Sequence, residues 1–218
     1  PTASGPGMPG AVRAALPAKL GPQLATLASG VPAGGDWICE IKFDGYRLMT
    51  RLEAGDPTLI TRGGHDWTSK MPTLRDELRT LGLNASWLDG EIVVLGDDGL
   101  PNFNALQRAF ERPSSSGSIV YFVFDLPFFE GHDLRAASLR DRRALLEAFI
   151  ADKGGEHVRF SAAFDADIAS VLESARRMNL EGVIAKRADA PYVSRRSESW
   201  LKLKCKQRQE FVVCGYVD

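Results

Sequence analysis

Glu40-Ile41-Lys42-Phe43-Asp44-Gly45-Tyr46-Arg47 is the stretch on which the reading of this chain turns. It sets a lysine between an apolar strand and Asp-Gly, a pair that favours tight turns. A lysine there is held by a rigid element and partly dried. Burial and cationic neighbours then lower its pKa and free a lone pair for attack. That is what a covalent lysine nucleophile needs. Alone, Lys-x-Asp-Gly is a weak signal, because lysines often flank turns. Its meaning depends on which groups the chain carries downstream of it.

Outward from the octet the sequence is rich in β signals. Residues 37–42, 46–52 and 58–61 read as strands divided by Asp-Gly and Gly-Asp. Residues 87–95 read as a strand broken at Asp89-Gly90, and 119–124 as a strand dense in β-branched and aromatic residues. Met71, Leu74, Leu78 and Leu81 recur at helical spacing, and 103–110 suits a short helix. Ser138 opens a helix with Asp141 three residues on. Asp165 is expected to cap another, carrying Ile168, Leu172 and Ala175. Residues 158–161, 182–186, 200–204 and 211–216 read as further strands. Many strands with short turns and irregularly placed helices predict an α+β fold, with two mainly antiparallel β-sheets flanked by helices. No G-x-G-x-x-G follows a strand, and no Walker sequence occurs, which disfavours a Rossmann fold and a P-loop.

The 218 residues suffice for one large domain or two small ones. Residues 1–16, rich in Pro, Gly, Ala and Ser, read as a linker or tail before a domain over 17–208. A net charge of −1 gives no global sign of a nucleic-acid partner, so a basic face has to be local. Residues 186–208 supply one, with eight Lys/Arg against two acids. Tyr192, Arg195 and Arg196 lie in that stretch and are placed to meet a phosphate backbone. The bland alternative is a solvated face. Cys39, Cys205 and Cys214 form no C-x-x-C pair and are odd in number, which fits a reducing, cytoplasmic setting. His65, His132 and His157 lack metal-ligand spacing and read as solvated side chains. No stretch approaches the roughly 18 apolar residues of a membrane span, and the opening lacks the order of a signal peptide.

Five further elements lie beyond the octet. Thr61-Arg62-Gly63-Gly64 puts an arginine at a strand end, where it can reach a phosphate or simply face water. Leu88-Asp89-Gly90-Glu91-Ile92-Val93-Val94 sets Glu91 in an apolar strand, where a buried carboxylate needs a cation, a hydroxyl or a metal. Water on a half-buried sheet is the plainer partner. In Tyr121-Phe122-Val123-Phe124-Asp125-Leu126, alternation puts Tyr121, Val123 and Asp125 on one face, and Phe122 and Phe124 on the other. Such aromatics are usually core, although a ring at a pocket mouth can stack on a base for about 1–3 kcal/mol. Glu181-Gly182-Val183-Ile184-Ala185-Lys186-Arg187 opens a strand with a carboxylate suited to Mg²⁺, or to solvent. Trp200-Leu201-Lys202-Leu203-Lys204 throws both lysines to one face, where they can grip a phosphate or guard a sheet edge.

In this order, from Glu40 to Lys204, the six elements resemble the motifs of the covalent nucleotidyltransferases: ATP-dependent DNA ligases, RNA ligases and capping enzymes. Glu-Ile-Lys-Phe-Asp-Gly-Tyr-Arg, Glu-Gly-Val-Ile-Ala-Lys-Arg and Trp-Leu-Lys-Leu-Lys are most similar to the adenylation domain of the ATP-dependent DNA ligases. Within that family the wording resembles the ligase module of bacterial DNA ligase D, of the end-joining pathway.

This resemblance implies an ATP-grasp-like adenylation fold whose two sheets form a nucleotide-binding cleft over residues 17–208. It implies that Lys42 attacks the α-phosphorus of ATP and becomes lysyl-AMP. AMP then passes to the 5′-phosphate of a nick and leaves when the 3′-hydroxyl attacks. The implied setting is double-strand break repair. Asp44 is implied to orient the metal or the reacting hydroxyl, and Lys202 and Lys204 to hold the α-phosphate. Glu40 and Ile41 would give main-chain contacts to adenine, and Phe124 one face for stacking. Arg47 would contact nucleotide or DNA phosphate, and Arg62 the nucleotide or nick phosphate. Glu91 would contact the ribose or metal-bound water, and Glu181 would serve metal-dependent transfer with Mg²⁺ or Mn²⁺. Arg195 and Arg196, with Arg62, would touch DNA. The implied partners are nicked or broken double-stranded DNA, an oligonucleotide-binding (OB-fold) barrel domain, polymerase and nuclease modules, and the Ku end-binding protein.

Family members carry that barrel after the sixth element. Residues 209–218 read as its first strand, so the chain is expected to react poorly with ATP by itself. Two rivals stand beside the DNA ligase reading. An RNA ligase or capping guanylyltransferase would differ in base and polymer choice. A non-catalytic nucleic-acid-binding module would have no need of Lys42, Glu91, Glu181, Lys202 and Lys204 together.

Overall fold

The computed structural model describes residues 7–111 and 118–205. The chain runs through β1 (Val12–Arg13), β2 (Leu24–Leu27), β3 (Trp37–Ile41), β4 (Tyr46–Glu53) and β5 (Asp56–Thr61) to a 3-10 turn at Thr68–Lys70 and α1 (Pro72–Thr80). β6 (Ala85–Val94), α2 (Phe103–Glu111), β7 (Ile119–Phe129) and β8 (His132–Asp133) come next. Then come α3 (Leu139–Lys153), β9 (Val158–Phe160), α4 (Ile168–Arg177), β10 (Gly182–Arg187) and β11 (Arg196–Lys204).

Two sheets result. The larger has the order β1-β8-β7-β6-β4-β5, with β9 also beside β7, and the smaller has the order β2-β11-β10-β3. The pairings are antiparallel except β2 with β11 and β7 with β9. Side-chain alternation gives each sheet two different faces. The larger buries Leu48, Leu52, Leu88, Ile92, Tyr121 and Val123 under Leu74 and Leu78 of α1, Leu106 of α2, and Leu146 and Ile150 of α3. The smaller buries Cys39, Val183, Ala185 and Leu203 under Val171, Leu172 and Ala175 of α4. The remaining faces meet through a third cluster that joins Met49, Trp87, Phe124 and Phe128 to Trp200 and Tyr192. The architecture is therefore α+β, with two antiparallel-rich sheets between outer helices.

The octet does something its local chemistry does not announce. β3 lies in the smaller sheet and β4 in the larger. Asp44-Gly45 is thus a crossing between sheets and closes no hairpin. A Cβ on Gly45 would lie 2.1 Å from the Ile92 carbonyl oxygen and 2.9 Å from Val93 Cγ1. Only glycine lets the chain pass that close to β6.

Other expectations shift in detail. β6 is continuous through Asp89-Gly90, which it absorbs as a change of register against β7; a bulge takes up the extra residue without ending the strand. The cap of α4 is Asp167, whose carboxylate accepts from the Ser170 N–H, and not Asp165. Ser138 caps α3 and accepts from the Asp141 N–H, as the spacing predicts. Part of the expected tail is bound, since Val12 and Arg13 pair with Asp133 and His132. The expected strand at 211–216, and with it the barrel start at 209–218, lies outside the described residues. Among the described residues no helix is long and apolar enough to cross a membrane.

Candidate active site

Three of the six sequence elements become neighbouring strands. Ile184 in β10 faces Glu40 in β3 on one side and Lys202 in β11 on the other. Lys186 likewise faces Ile38 and Trp200. Lys42, just past β3, donates its N–H to the Gly182 carbonyl at 3.0 Å, and Gly182 pairs with Lys204. Alternation sends Leu201 and Leu203 toward α4 and the two lysines the other way. Across the gap, Arg47, Glu91 and Phe122 form one row through β4, β6 and β7. Between these rows lies a cleft of about 460 Å³.

Glu40, Ile41, Lys42, Arg47, Arg62, Glu91, Phe124, Arg196 and Lys202 all line this cleft. Asp44, Glu181 and Lys204 stand beside its Lys42 end. Lys42 Nζ is ion-paired with Glu181 Oε2, and Lys204 Nζ lies 3.3 Å from Glu181 Oε1. Partial desolvation, with the Glu181 carboxylate nearby, raises the pKa of Asp44. Desolvation and the cations Arg196, Lys204 and Lys42 lower that of Lys202. Burial pushes Glu91 up to about 7 against the pull of Arg47 and Lys42. Arg62 is exposed at the cleft mouth, and exposed Arg196 donates to the Ala25 carbonyl. Arg195 is exposed but does not line the cleft. Tyr192, expected among the phosphate-facing residues, is only 3% exposed; its hydroxyl is engaged by the buried Asp89.

The floor of the cleft is a set of clamped charges. The Glu40 carboxylate is buried, with Lys186 Nζ at 2.6 Å, and it accepts from Arg143 Nη1 at 2.9 Å and the Ser161 hydroxyl at 2.8 Å. Lys186 Nζ also stands 4.1 Å from the Phe124 ring centre and 4.2 Å from that of Trp200, a cation–π arrangement. Burial lowers the Lys186 ammonium to about 8 despite Glu40. Arg47 donates through Nε and Nη2 to both oxygens of Asp89, at 2.6 and 2.7 Å, and lies 4.4 Å over Phe124. Main-chain groups differ in availability. Glu40 is paired to Ile184. Ladder alternation turns the Ile41 N–H and C=O to the opposite edge, the edge on which the Cys39 carbonyl accepts from Phe164.

Phe122 and Phe124 leave the helix-covered core, as alternation predicts. Phe122 stacks on Phe43 at 4.6 Å, and Phe124 lines the cleft. Ile184, Lys186, Trp200 and Arg143 belong to the site although their sequence pattern does not single them out. The first three lie inside the quoted elements, on the same alternation parity as Lys202. Arg143 carries one usable signal: it stands four residues after Leu139, on the buried stripe of α3, where an arginine demands a partner.

Among the described residues, no group of three or more His, Cys, Asp or Glu side chains could hold a metal ion unaided. The oxygen donors at hand, Glu91 and Glu181, still suit Mg²⁺, which binds through one or two carboxylates and completes its shell with water and phosphate oxygens.

The family described as ATP dependent DNA ligase domain matches residues 22–204. The chain is 50% identical over 203 residues to the multifunctional non-homologous end joining protein LigD of Pseudomonas aeruginosa, covering 93% of this chain and 24% of that protein. To LigD of Mycobacterium tuberculosis it is 35% identical over 202 residues, covering 91% and 25%. The chain thus spans about a quarter of the length of these relatives. Among solved structures, the ligase domain of M. tuberculosis LigD aligns with a TM-score of 0.74 at 35% identity, covering 85% of this chain and 60% of that one. A mycobacterial DNA ligase D complexed with ATP aligns with a TM-score of 0.73 at the same identity and coverage. Fold and sequence agree, and the chain belongs to the ATP-dependent DNA ligase domain family.

Proposed function

We propose that this domain carries AMP on Lys42 and delivers it to the 5′-phosphate of nicked DNA. The observation that carries this reading is the meeting of Lys42, Glu181, Lys204 and Lys202 at one end of a cleft whose far wall presents Glu91 and Arg47. Attack on the α-phosphorus of ATP forms an N–P bond and releases pyrophosphate. The amine must shed a proton first, and the Glu181 carboxylate is the group in contact with Nζ. Lys202 and Lys204 supply positive charge that offsets the developing charge on the α-phosphate. Phe124 and Ile184 offer apolar faces to adenine, and Ile41 an open main-chain edge. Arg47 and Glu91 suit the ribose and its neighbouring phosphate. Glu91 and Glu181 would hold Mg²⁺ or Mn²⁺, which when bound offsets charge on the phosphate oxygens.

The wider role is drawn by analogy with the LigD relatives. We infer sealing of nicks and broken ends in double-strand break repair, with the OB-fold barrel, polymerase and nuclease modules and a Ku-type end-binding protein as partners. Arg62 and Arg196 at the cleft mouth suit the phosphates of the nick, with Arg195 further out.

The test is intact-mass spectrometry of the domain joined to its OB-fold barrel, after incubation with ATP and a divalent metal. A gain of one AMP, absent in Lys42→Ala and reversed by pyrophosphate, is expected. No gain under any nucleotide overturns the reading. Labelling by GTP in preference to ATP, or sealing of nicked RNA in preference to DNA, would move it to the capping or RNA ligase branches.

A further inference from the structure

Tyr192 lies in the connection between β10 and β11, and its hydroxyl is one corner of a closed ring of hydrogen bonds. The hydroxyl donates to Asp89 Oδ2 at 2.7 Å and accepts from the Gln23 N–H at 3.1 Å. Asp89 takes two further short bonds from Arg47. Arg47 Nη2 returns to the Gln23 carbonyl at 3.1 Å, which closes the ring. Tyr192, Asp89 and Gln23 are all 3% exposed or less, so water does not compete for these bonds. Among the described residues no acceptor bonds Arg47 Nη1, and Arg47 lines the cleft.

The ring also joins the two sheets. Arg47 and Asp89 belong to β4 and β6 of the larger sheet. Gln23 leads directly into β2, and Tyr192 hangs between β10 and β11, all three strands being in the smaller sheet. The Gln23 side chain locks the same connection: its Oε1 accepts from the Val193 N–H at 2.8 Å, and its Nε2 donates to Ser199 Oγ at 2.9 Å. An arginine at a sheet surface would ordinarily sample several rotamers. Here its outward pose is fixed by a carboxylate that is itself fixed from the opposite sheet.

We propose that Tyr192 is a positioning residue for nucleotide binding: through Asp89 it locks the Arg47 guanidinium in the pose presented to the cleft and ties that pose to the spacing of the two sheets. This rests on the reading that Arg47 contacts the nucleotide. Burial beside Asp89 raises the phenol's pKa well above its ordinary value, which keeps it a donor across the working pH range. In Tyr192→Phe the ring opens at two bonds. Asp89 loses a donor and the Gln23 N–H loses its acceptor, so Arg47 keeps its bonds to Asp89 and Gln23, but both of these partners are held less firmly. Lys42 has no part in the ring, so the chemical step is untouched.

The experiment compares wild type, Tyr192→Phe and Leu20→Ala, each with the OB-fold barrel attached. Leu20 packs in the same cluster as Tyr192 but makes none of these bonds, so it reports the effect of loosened packing alone. ATP affinity is measured by calorimetry, the rate of AMP transfer to Lys42 at saturating ATP by intact mass, and stability by urea denaturation. Tyr192→Phe is expected to weaken ATP binding about tenfold, the scale of a hydrogen bond to a charged group, with the saturating rate within about twofold of wild type. Leu20→Ala is expected to lose stability and keep its affinity. Unchanged ATP affinity in Tyr192→Phe, or an equal loss in Leu20→Ala, overturns the proposal. Wild type that binds ATP but forms no adduct sinks the catalytic reading alone, whereas wild type that binds no ATP sinks both.

Discussion

Lys42 and Glu181 stand 139 residues apart in sequence and are ion-paired in the structure. Lys204 shares the same carboxylate from β11. In the proposed reaction Lys42 attacks as a free amine, and the Glu181 carboxylate in contact with it is a candidate base. Glutamine at position 181 keeps the shape and removes the basicity. Glu181→Gln is expected to slow adduct formation about a hundredfold, the lower range for loss of a general base. ATP affinity should stay within a few-fold, as expected of a group that acts mainly in the transition state. Single-turnover rates at saturating ATP check this. A rate equal to wild type would show that the contact is only an ion pair.

The sheet-to-sheet crossing at Asp44-Gly45 makes a separate expectation about folding. A methyl group on Gly45 meets a main-chain carbonyl at 2.1 Å, and main chain cannot swing aside as a side chain can. Gly45→Ala is expected to cost about 1–3 kcal/mol or more, the range for forced overpacking. Gly7→Ala, with nothing within 4 Å of the added Cβ, is the control and should be silent. Urea midpoints measure both, and equal midpoints for the two variants would contradict crowding at position 45.

The same crossing marks where sequence stops being readable. Alternation in Trp200 to Lys204 separates the lysines from the leucines with no knowledge of the fold, because period two is a property of the strand itself. It correctly turns Phe122 and Phe124 away from Tyr121 and Val123. Asp-Gly, in contrast, specifies only a local change of direction. Whether the next strand returns to the same sheet depends on what covers each face, and that is set by distant helices. The cap of α4 shows the same limit on a smaller scale. Asp165 and Asp167 are chemically equal candidates, and the choice falls to the one whose carboxylate reaches the Ser170 N–H. The floor of the cleft is least legible. Glu40 is satisfied by Arg143, 103 residues away, and by Lys186 on the neighbouring strand. Such partners have no signature in spacing.

Glu91 gives the folded domain a pH dependence of definite sign. Burial raises its pKa from an ordinary 4.5 to about 7. The folded state therefore holds a proton that the unfolded chain has already lost between those values. The contribution is fully present below pH 4.5 and is lost as pH rises through 7. Against Glu91→Gln, which cannot ionise, wild type should lose relative stability across that window and run parallel above it. Urea denaturation from pH 4 to 8 with divalent metal chelated makes the measurement. Parallel curves throughout would mean that Glu91 is ionised in the folded state at acid pH.

Asp125 and Arg142 pose the question of what the buried charges do for the fold. Both are wholly buried and joined by two hydrogen bonds, at 2.7 and 3.0 Å. Burial favours the neutral carboxyl, but Arg142 outweighs it and holds Asp125 below its ordinary range. Arg142 Nη1 also donates to the carbonyls of Ala137 at 2.6 Å and Ala190 at 3.3 Å, so α3 is tied to the connection that carries Tyr192. Removing one partner leaves an uncompensated buried charge. Asp125→Leu is expected to cost about 3–5 kcal/mol, because desolvation of the guanidinium is no longer offset. The double variant Asp125→Leu with Arg142→Met replaces both charges by apolar groups of similar bulk and should recover most of that loss. Urea unfolding of wild type, the two single variants and the double variant gives the coupling directly. A double variant as unstable as the sum of its singles would show no coupling between the two charges, and each would then act through its separate bonds, for Arg142 those to the two carbonyls.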